Sequence, residues 1–115
     1  MKHRDMFVLE KIVQYANEIE LTISELKLDF DKFKASSTGR NAVSMCILQI
    51  GELASNLSKE FIKSHSTIQW RSIISMRNRA AHGYWDMSKE IIWQTATEDV
   101  PPLKIYCQKI LGEYK

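Results

Sequence analysis

Apolar residues recur three and four apart along most of this chain, the spacing of one face of an α-helix. Leu9, Ile12, Ala16, Ile19, Ile23 and Leu26 form one such stripe, predicting a helix from about residue 4 to 27. The stripe lies close to a heptad seam, which suits packing either within a bundle or on a second subunit; nothing local decides between them. Asp29 fits the N-cap of a short helical turn carrying Phe30 and Phe33. Ala35-Ser36-Ser37-Thr38-Gly39 reads as the clearest loop. A second long helix is predicted from about Arg40 to Lys63, with Val43, Ile47, Ile50, Ala54, Leu57 and Phe61 as its buried stripe and Met45, Cys46 and Leu53 widening it. Within it, Gly51 costs up to about 1 kcal/mol relative to Ala, so it predicts the close approach of another backbone. Glu52 either faces water or pairs with a basic group.

Lys63 to Thr67 reads as a polar connection. Ile68, Trp70, Ile73, Ile74 and Met76 begin a third helix expected to run to His82, with Gly83 at the C′ position that ends it. Asp86 then caps a helix carrying Ile91, Ile92 and Ala96, with Trp93 beside them. Asp99-Val100-Pro101-Pro102 is expected to break or kink it. Leu103, Tyr106, Cys107, Ile110 and Leu111 mark a final amphipathic helix. No strand-length alternation or internal repeat competes with this pattern. The expected fold is all-α, an up-and-down bundle of about four to five helices.

Composition narrows the function classes. A chain of 115 residues suits one domain spanning 1–115. Only two prolines and four glycines favour long helices. A net charge of +2 is too small for a general nucleic-acid coat, so any RNA or DNA contact is local. Cys46 and Cys107 fall at apolar helical positions and read as buried free thiols. No apolar run is long enough for a membrane span, and the charged start is not followed by a signal-peptide core, so the expected location is the cytoplasm.

The chemistry concentrates in Met76-Arg77-Asn78-Arg79-Ala80-Ala81-His82-Gly83-Tyr84-Trp85, and no acid occurs between Phe61 and Trp85. Asn78 and His82, four apart, share a helical face. Arg77 precedes His82 by five residues, roughly 140° round an ideal helix. The two converge on one phosphate if His82 lies at a frayed helix end or if two copies face each other. A guanidinium fork suits phosphate oxygens, and an imidazole changes charge near neutral pH. Together they can cleave a phosphodiester without metal, the imidazole moving a proton and the arginine stabilising charge on the phosphoryl group. Such chemistry needs an acid and a base, so one His82 per chain points to a composite site in a symmetric dimer. Taken alone, a helix-end histidine is more often a cap or dipole partner than a catalyst. A metal site is disfavoured, because His3, His65 and His82 are scattered without a cluster of acids. No cofactor is expected.

Arg77-Asn78-Arg79-Ala80-Ala81-His82-Gly83-Tyr84 resembles the arginine, four residues, histidine, any residue, tyrosine motif of the HepT-like toxins, small members of the HEPN ribonuclease superfamily. Leu48-Gln49-Ile50-Gly51-Glu52-Leu53 is similar to the family's isoleucine-glycine-glutamate helix. The segment Ile68 to Asn78 resembles the approach to its motif. Ile92-Trp93 and Glu98-Asp99-Val100-Pro101-Pro102-Leu103 resemble its C-terminal pattern. Ala80 and Ala81 depart mildly from the family's larger apolar residues there.

The resemblance implies a helical-bundle RNase toxin acting as a homodimer with catalytic sites at the dimer groove. On it, Arg77 and His82 form the catalytic pair and Asn78 supports them. It also implies a minimal nucleotidyltransferase as antitoxin partner, which transfers AMP onto the motif tyrosine, here Tyr84. Arg71 and Arg79 are candidate RNA contacts, since phosphates need only positive charge within reach; the alternative for Arg71 is a solvated surface residue. Trp70, Trp85 and Trp93 read as core or interface residues rather than base-stacking platforms. A competing reading from another class is a non-catalytic helical module that presents RNA or nucleotide to a partner nucleotidyltransferase.

Overall fold

The computed structural model describes residues 2–84 and 89–114, residues 81–84 by their backbone alone. It is an all-α bundle, with no strand among the described residues. Helix α1 (His3–Glu25) buries Leu9, Ile12, Ala16 and Ile19, while Ile23 is half-buried and Leu26 is exposed, so the stripe fades at its C-terminal end. The helix stops where Lys27 turns into the left-handed region at φ 50°. There Leu28 N–H donates to Ile23 O and Lys27 N–H to Ser24 O, which satisfies carbonyls otherwise orphaned at the helix end.

The short helix α2 (Phe30–Ala35) is capped as expected: Asp29 Oδ1 accepts from Lys32 N–H at 2.8 Å. The loop expected over 35–39 is instead a junction of one residue. Ser36 ends α2 and caps α3 (Ser37–Ala54), its Oγ accepting from Gly39 N–H at 2.9 Å. A run of small polar residues thus served as a helix start, because a serine cap supplies the acceptor that the first turn lacks.

The helix expected to continue to Lys63 ends at Ala54. Ser55 Oγ and Asn56 Nδ2 both donate to the Glu52 carbonyl, drawing the chain out of the helix. Ser58 then caps α4 (Lys59–Ser64), its Oγ accepting from Phe61 N–H. The buried Asp5 of α1 accepts from both Ser58 N–H, at 2.8 Å, and Ser58 Oγ, at 2.7 Å, and so fixes this break against the bundle. All six stripe residues from Val43 to Phe61 are nevertheless buried. Met45 is not: it is exposed, and the expected widening is carried by Cys46 and partly by Leu53.

The third helix is likewise divided, into α5 (Trp70–Ile74) and α6 (Met76–Tyr84). Ser75 stands between them and donates its hydroxyl to Ser72 O at 2.7 Å. Gly83 does not end the helix, since α6 runs on through Tyr84. The expected cap at Asp86 lies outside the described residues. Helix α7 (Lys89–Gln94) buries Ile92, whereas Ile91 is exposed, contrary to its expected place on the apolar side. Trp93 packs on Phe33, with ring centroids 5.1 Å apart.

The double proline does not break the chain. A π-helical turn, Thr95–Asp99, leads directly into α8 (Val100–Glu113), with both prolines in its first turn. Pro101 and Pro102 have no N–H to close ordinary α-turns onto Thr97 and Glu98, and the helix widens where those bonds are lost. Helix α1 packs between α3 and α8, and Lys104 of α8 meets Glu20 of α1 at 3.0 Å. Helix α6 lies along the other flank of α3. None of the described helices is long and apolar enough to cross a membrane.

Candidate active site

The motif helix α6 is seated by a missing side chain. A Cβ on Gly51 would stand 2.6 Å from Arg77 N and 3.1 Å from Ile74 O. The α3 and α5–α6 backbones therefore touch at Gly51, as the mid-helix glycine predicts. Met76 and Ala80, four apart, are buried on one edge of α6. Arg77 and Asn78 are exposed beside it.

Arg77 Nη1 donates to Glu52 Oε1 at 3.2 Å. Both side chains are close to half exposed, 44% for Arg77 and 49% for Glu52. The two readings of Glu52 thus merge: it faces water and pairs with the motif arginine. A pair this exposed contributes about 0–1 kcal/mol, so a phosphate can displace the carboxylate at little cost. Arg77 is held in place without being consumed.

Arg79 is placed differently. Two residues on, it projects about 200° round the helix from Arg77. Its Nη1 donates to Asp99 Oδ2 at 2.9 Å and its Nη2 to Ser72 Oγ at 2.9 Å, with longer contacts to Thr95 Oγ and Ser72 O. The structure therefore does not bring Arg77 and Arg79 to one phosphate site within a protomer. Arg71, on α5, is exposed. His82 and Tyr84 occupy the last turn of α6, with their side chains outside the described residues. Along one regular helix His82 lies about 7.5 Å beyond Arg77 and roughly 140° round. Asn78, one turn before His82, is exposed on the helix that carries all three.

The acid-free run from Phe61 to Trp85 thus overstates the local positive charge. Glu52 of α3 meets Arg77, and Asp99, at the end of the π-helical turn, meets Arg79. Asp99 could be read from sequence only as part of a helix breaker, and neither Ser72 nor Thr95 carries a signal that marks it as an arginine ligand. Trp70 is buried, its indole Nε1 donating to His65 O at 2.8 Å, and Trp93 is half-buried against Phe33. Trp85 lies outside the described residues. Among the described residues no three His, Cys, Asp or Glu side chains gather closely enough to hold a metal ion. Both thiols are buried and free.

A family model described as ribonuclease HepT-like matches residues 9–110. A protein of Caldanaerobacter subterraneus subsp. tengcongensis, named provisionally as an RNase, is 33% identical over 108 residues, covering 93% of this chain and 94% of the relative. One from Thermococcus cleftensis, named provisionally as ribonuclease HepT, is 30% identical over 110 residues, covering 96% of this chain and 98% of the relative. A third, from Methanocaldococcus jannaschii and also named provisionally as an RNase, is 28% identical over 106 residues, 90% of this chain and 94% of the relative. No solved structure shows significant similarity to the chain. The match over nearly all of its length, with relatives of equal extent, makes this chain a member of the HepT-like ribonuclease family.

Proposed function

We propose that this protein is a metal-independent ribonuclease in which residues 1–115 form a single domain and two copies form the active dimer. Arg77 and His82 are its catalytic pair, and Asn78 orients the imidazole from one turn away. One His82 takes the proton of a 2′-hydroxyl as that oxygen attacks the adjacent phosphorus. The second copy's His82 gives a proton to the departing 5′-oxygen, leaving a cyclic phosphate and a free 5′-hydroxyl. Arg77 stabilises the charge that grows on the phosphoryl oxygens. The observation that carries this reading is the placement of Arg77: exposed, on the motif helix, and held, among the described residues, only by a carboxylate that is itself half in water. Arg71, likewise exposed, extends the RNA-binding surface.

In the cell, the protein acts as a cytoplasmic toxin neutralised by a nucleotidyltransferase antitoxin that places AMP on Tyr84. A nucleotide joined there through a phosphodiester adds bulk and negative charge at the end of the motif helix, where RNA must approach. The test is cleavage of total cellular RNA by purified protein in EDTA, with unmodified Tyr84 verified by mass. Cleavage that survives EDTA and disappears in Arg77→Ala and in His82→Ala is the expected result. Intact RNA at every protein concentration would overturn it and favour a binding module that serves a partner nucleotidyltransferase. Incubation with that partner and ATP is expected to add one adenylyl group to the wild type and none to Tyr84→Phe.

A further inference from the structure

We infer that Arg79 is a positioning residue for the motif helix, acting through Asp99, and not a phosphate contact; the inference rests on the ribonuclease reading above. A helix of nine residues does not hold itself in water, and α6 begins directly after the break at Ser75. On its α3 side it rests on Gly51 and the Glu52–Arg77 pair. It also packs against α7, and Arg79 is the strut. Its guanidinium reaches Ser72 of α5, and Thr95 and Asp99 of the π-helical turn, so one side chain joins three elements.

The placement sets Arg79 apart from Arg77. Its side chain is 27% exposed against 44% for Arg77. The forked geometry suits two acceptors at once, Asp99 Oδ2 and Ser72 Oγ, each at 2.9 Å, and leaves little donor capacity for RNA. An open cleft of about 420 Å³ borders the guanidinium, lined by Ser72, Met76, Glu98, Asp99 and Pro102 among others. Asp99 is neutralised by the guanidinium it holds, and Glu98 beside it repels an approaching phosphate. Arg79 also stands three residues before His82 and so on a neighbouring part of the same helix. Loss of the strut lets α6 turn against α3, and in a site shared between two copies that moves Arg77 and His82 off the scissile bond.

The test measures cleavage kinetics and the salt dependence of RNA binding for intact Arg79→Ala, Arg79→Lys and Asp99→Asn proteins. Positioning predicts that all three lose kcat by about ten- to a hundredfold, with the slope of log K against log salt unchanged. Lysine fails here because it keeps the charge but not the fork. A phosphate contact predicts the opposite: Arg79→Lys retains activity, Arg79→Ala flattens the slope by about 0.7, and Asp99→Asn tightens binding. That result overturns the inference. A wild-type kcat in a destabilised Asp99→Asn overturns it too, leaving Arg79 with a merely structural role. Amide exchange separates this from failure of the ribonuclease reading: faster exchange confined to 76–84 in Asp99→Asn is expected whether or not the wild type cuts RNA, and unchanged exchange there overturns the strut.

Discussion

Arg77 Nη1 donates to Glu52 Oε1 at 3.2 Å across the contact between α3 and α6, and both groups are open to water. The carboxylate orients the guanidinium but also competes with a substrate phosphate for it. Glu52→Gln keeps the side-chain shape and an acceptor while removing the competing charge. RNA binding by Glu52→Gln is expected to tighten several-fold at low salt, measured by titration of a labelled RNA. Stability is expected to fall by less than about 1 kcal/mol in urea denaturation, since exposed pairs contribute no more than that.

Gly51 offers a sharper probe of the same contact. A Cβ there meets Arg77 N at 2.6 Å, and backbone cannot step aside as a flexible side chain would. Gly51→Ala gains about 1 kcal/mol in helix propensity and loses about 1–3 kcal/mol to overpacking. A net loss of about 0–2 kcal/mol is expected in denaturant melts, together with a fall in RNA cleavage larger than the stability loss explains, because the atom displaced is the Arg77 backbone.

Much of the fold was legible because burial follows helical spacing wherever a helix is long. The stripe from Val43 to Phe61 is buried in full, as its spacing predicts, even though the helix beneath it is broken between Ala54 and Lys59. Spacings of three and four survive a short break, so the pattern cannot report one. The break is made locally by Ser55, Asn56 and the Ser58 cap, and Asp5, fifty-three residues away from Ser58, fixes it against the bundle through a bond that no local signal carries. Ser36 failed in the opposite direction: cap chemistry and loop chemistry use the same residues. Exposed Met45 and Ile91 show that apolar character alone does not choose a helix face. At the candidate site, the sequence located α6 and the Gly51 approach. It offered Glu52 as a partner for a basic group but missed Asp99, which meets Arg79 from an element that reads only as a helix breaker.

Lys27 predicts a stabilising change. It closes α1 in the left-handed region at φ 50°, exposed, with the two capping hydrogen bonds made by backbone alone. An L-residue with a Cβ is disfavoured there by about 1–2 kcal/mol, whereas glycine adopts that conformation freely at a larger entropy cost on folding. Lys27→Gly is expected to raise stability by about 0.5–1 kcal/mol and leave RNA cleavage unchanged. Lys27→Val, branched at Cβ, is expected to lower stability in the same thermal melts.

Asp5 is 1% exposed and holds the start of α4 through Ser58 N–H and Oγ. Asp5→Ala removes the acceptor of both bonds and leaves the Ser58 donors unsatisfied, a loss expected at about 2–4 kcal/mol. Asp5→Asn retains one acceptor for Ser58 N–H and is expected to lose less. Equal losses in urea for the two variants would mean that the carboxylate charge, and not the capping geometry, carries the contribution.

The two thiols give a stability dependence on pH with a definite sign. Burial pushes Cys46 from its ordinary 9.0 up to about 12, and the nearby Glu18, at 3.6 Å from its Sγ, adds a repelling charge and an acceptor that holds the proton. Burial alone raises Cys107 to about 12. Above pH 9 the unfolded thiols release their protons while the folded ones keep them, so the native state binds more protons and stability falls as pH rises. Their contribution is complete below pH 9 and drains away between 9 and about 12. Urea denaturation from pH 8 to 10 is expected to show a steeper decline for the wild type than for the Cys46→Ala, Cys107→Ala double variant, the comparison cancelling tyrosine and lysine titration. Alkylation by iodoacetamide at pH 8 is expected to be slow in buffer and fast in denaturant, because the thiolate is the reacting form. Rapid alkylation of native Cys46 would show instead that its proton is not held by the fold.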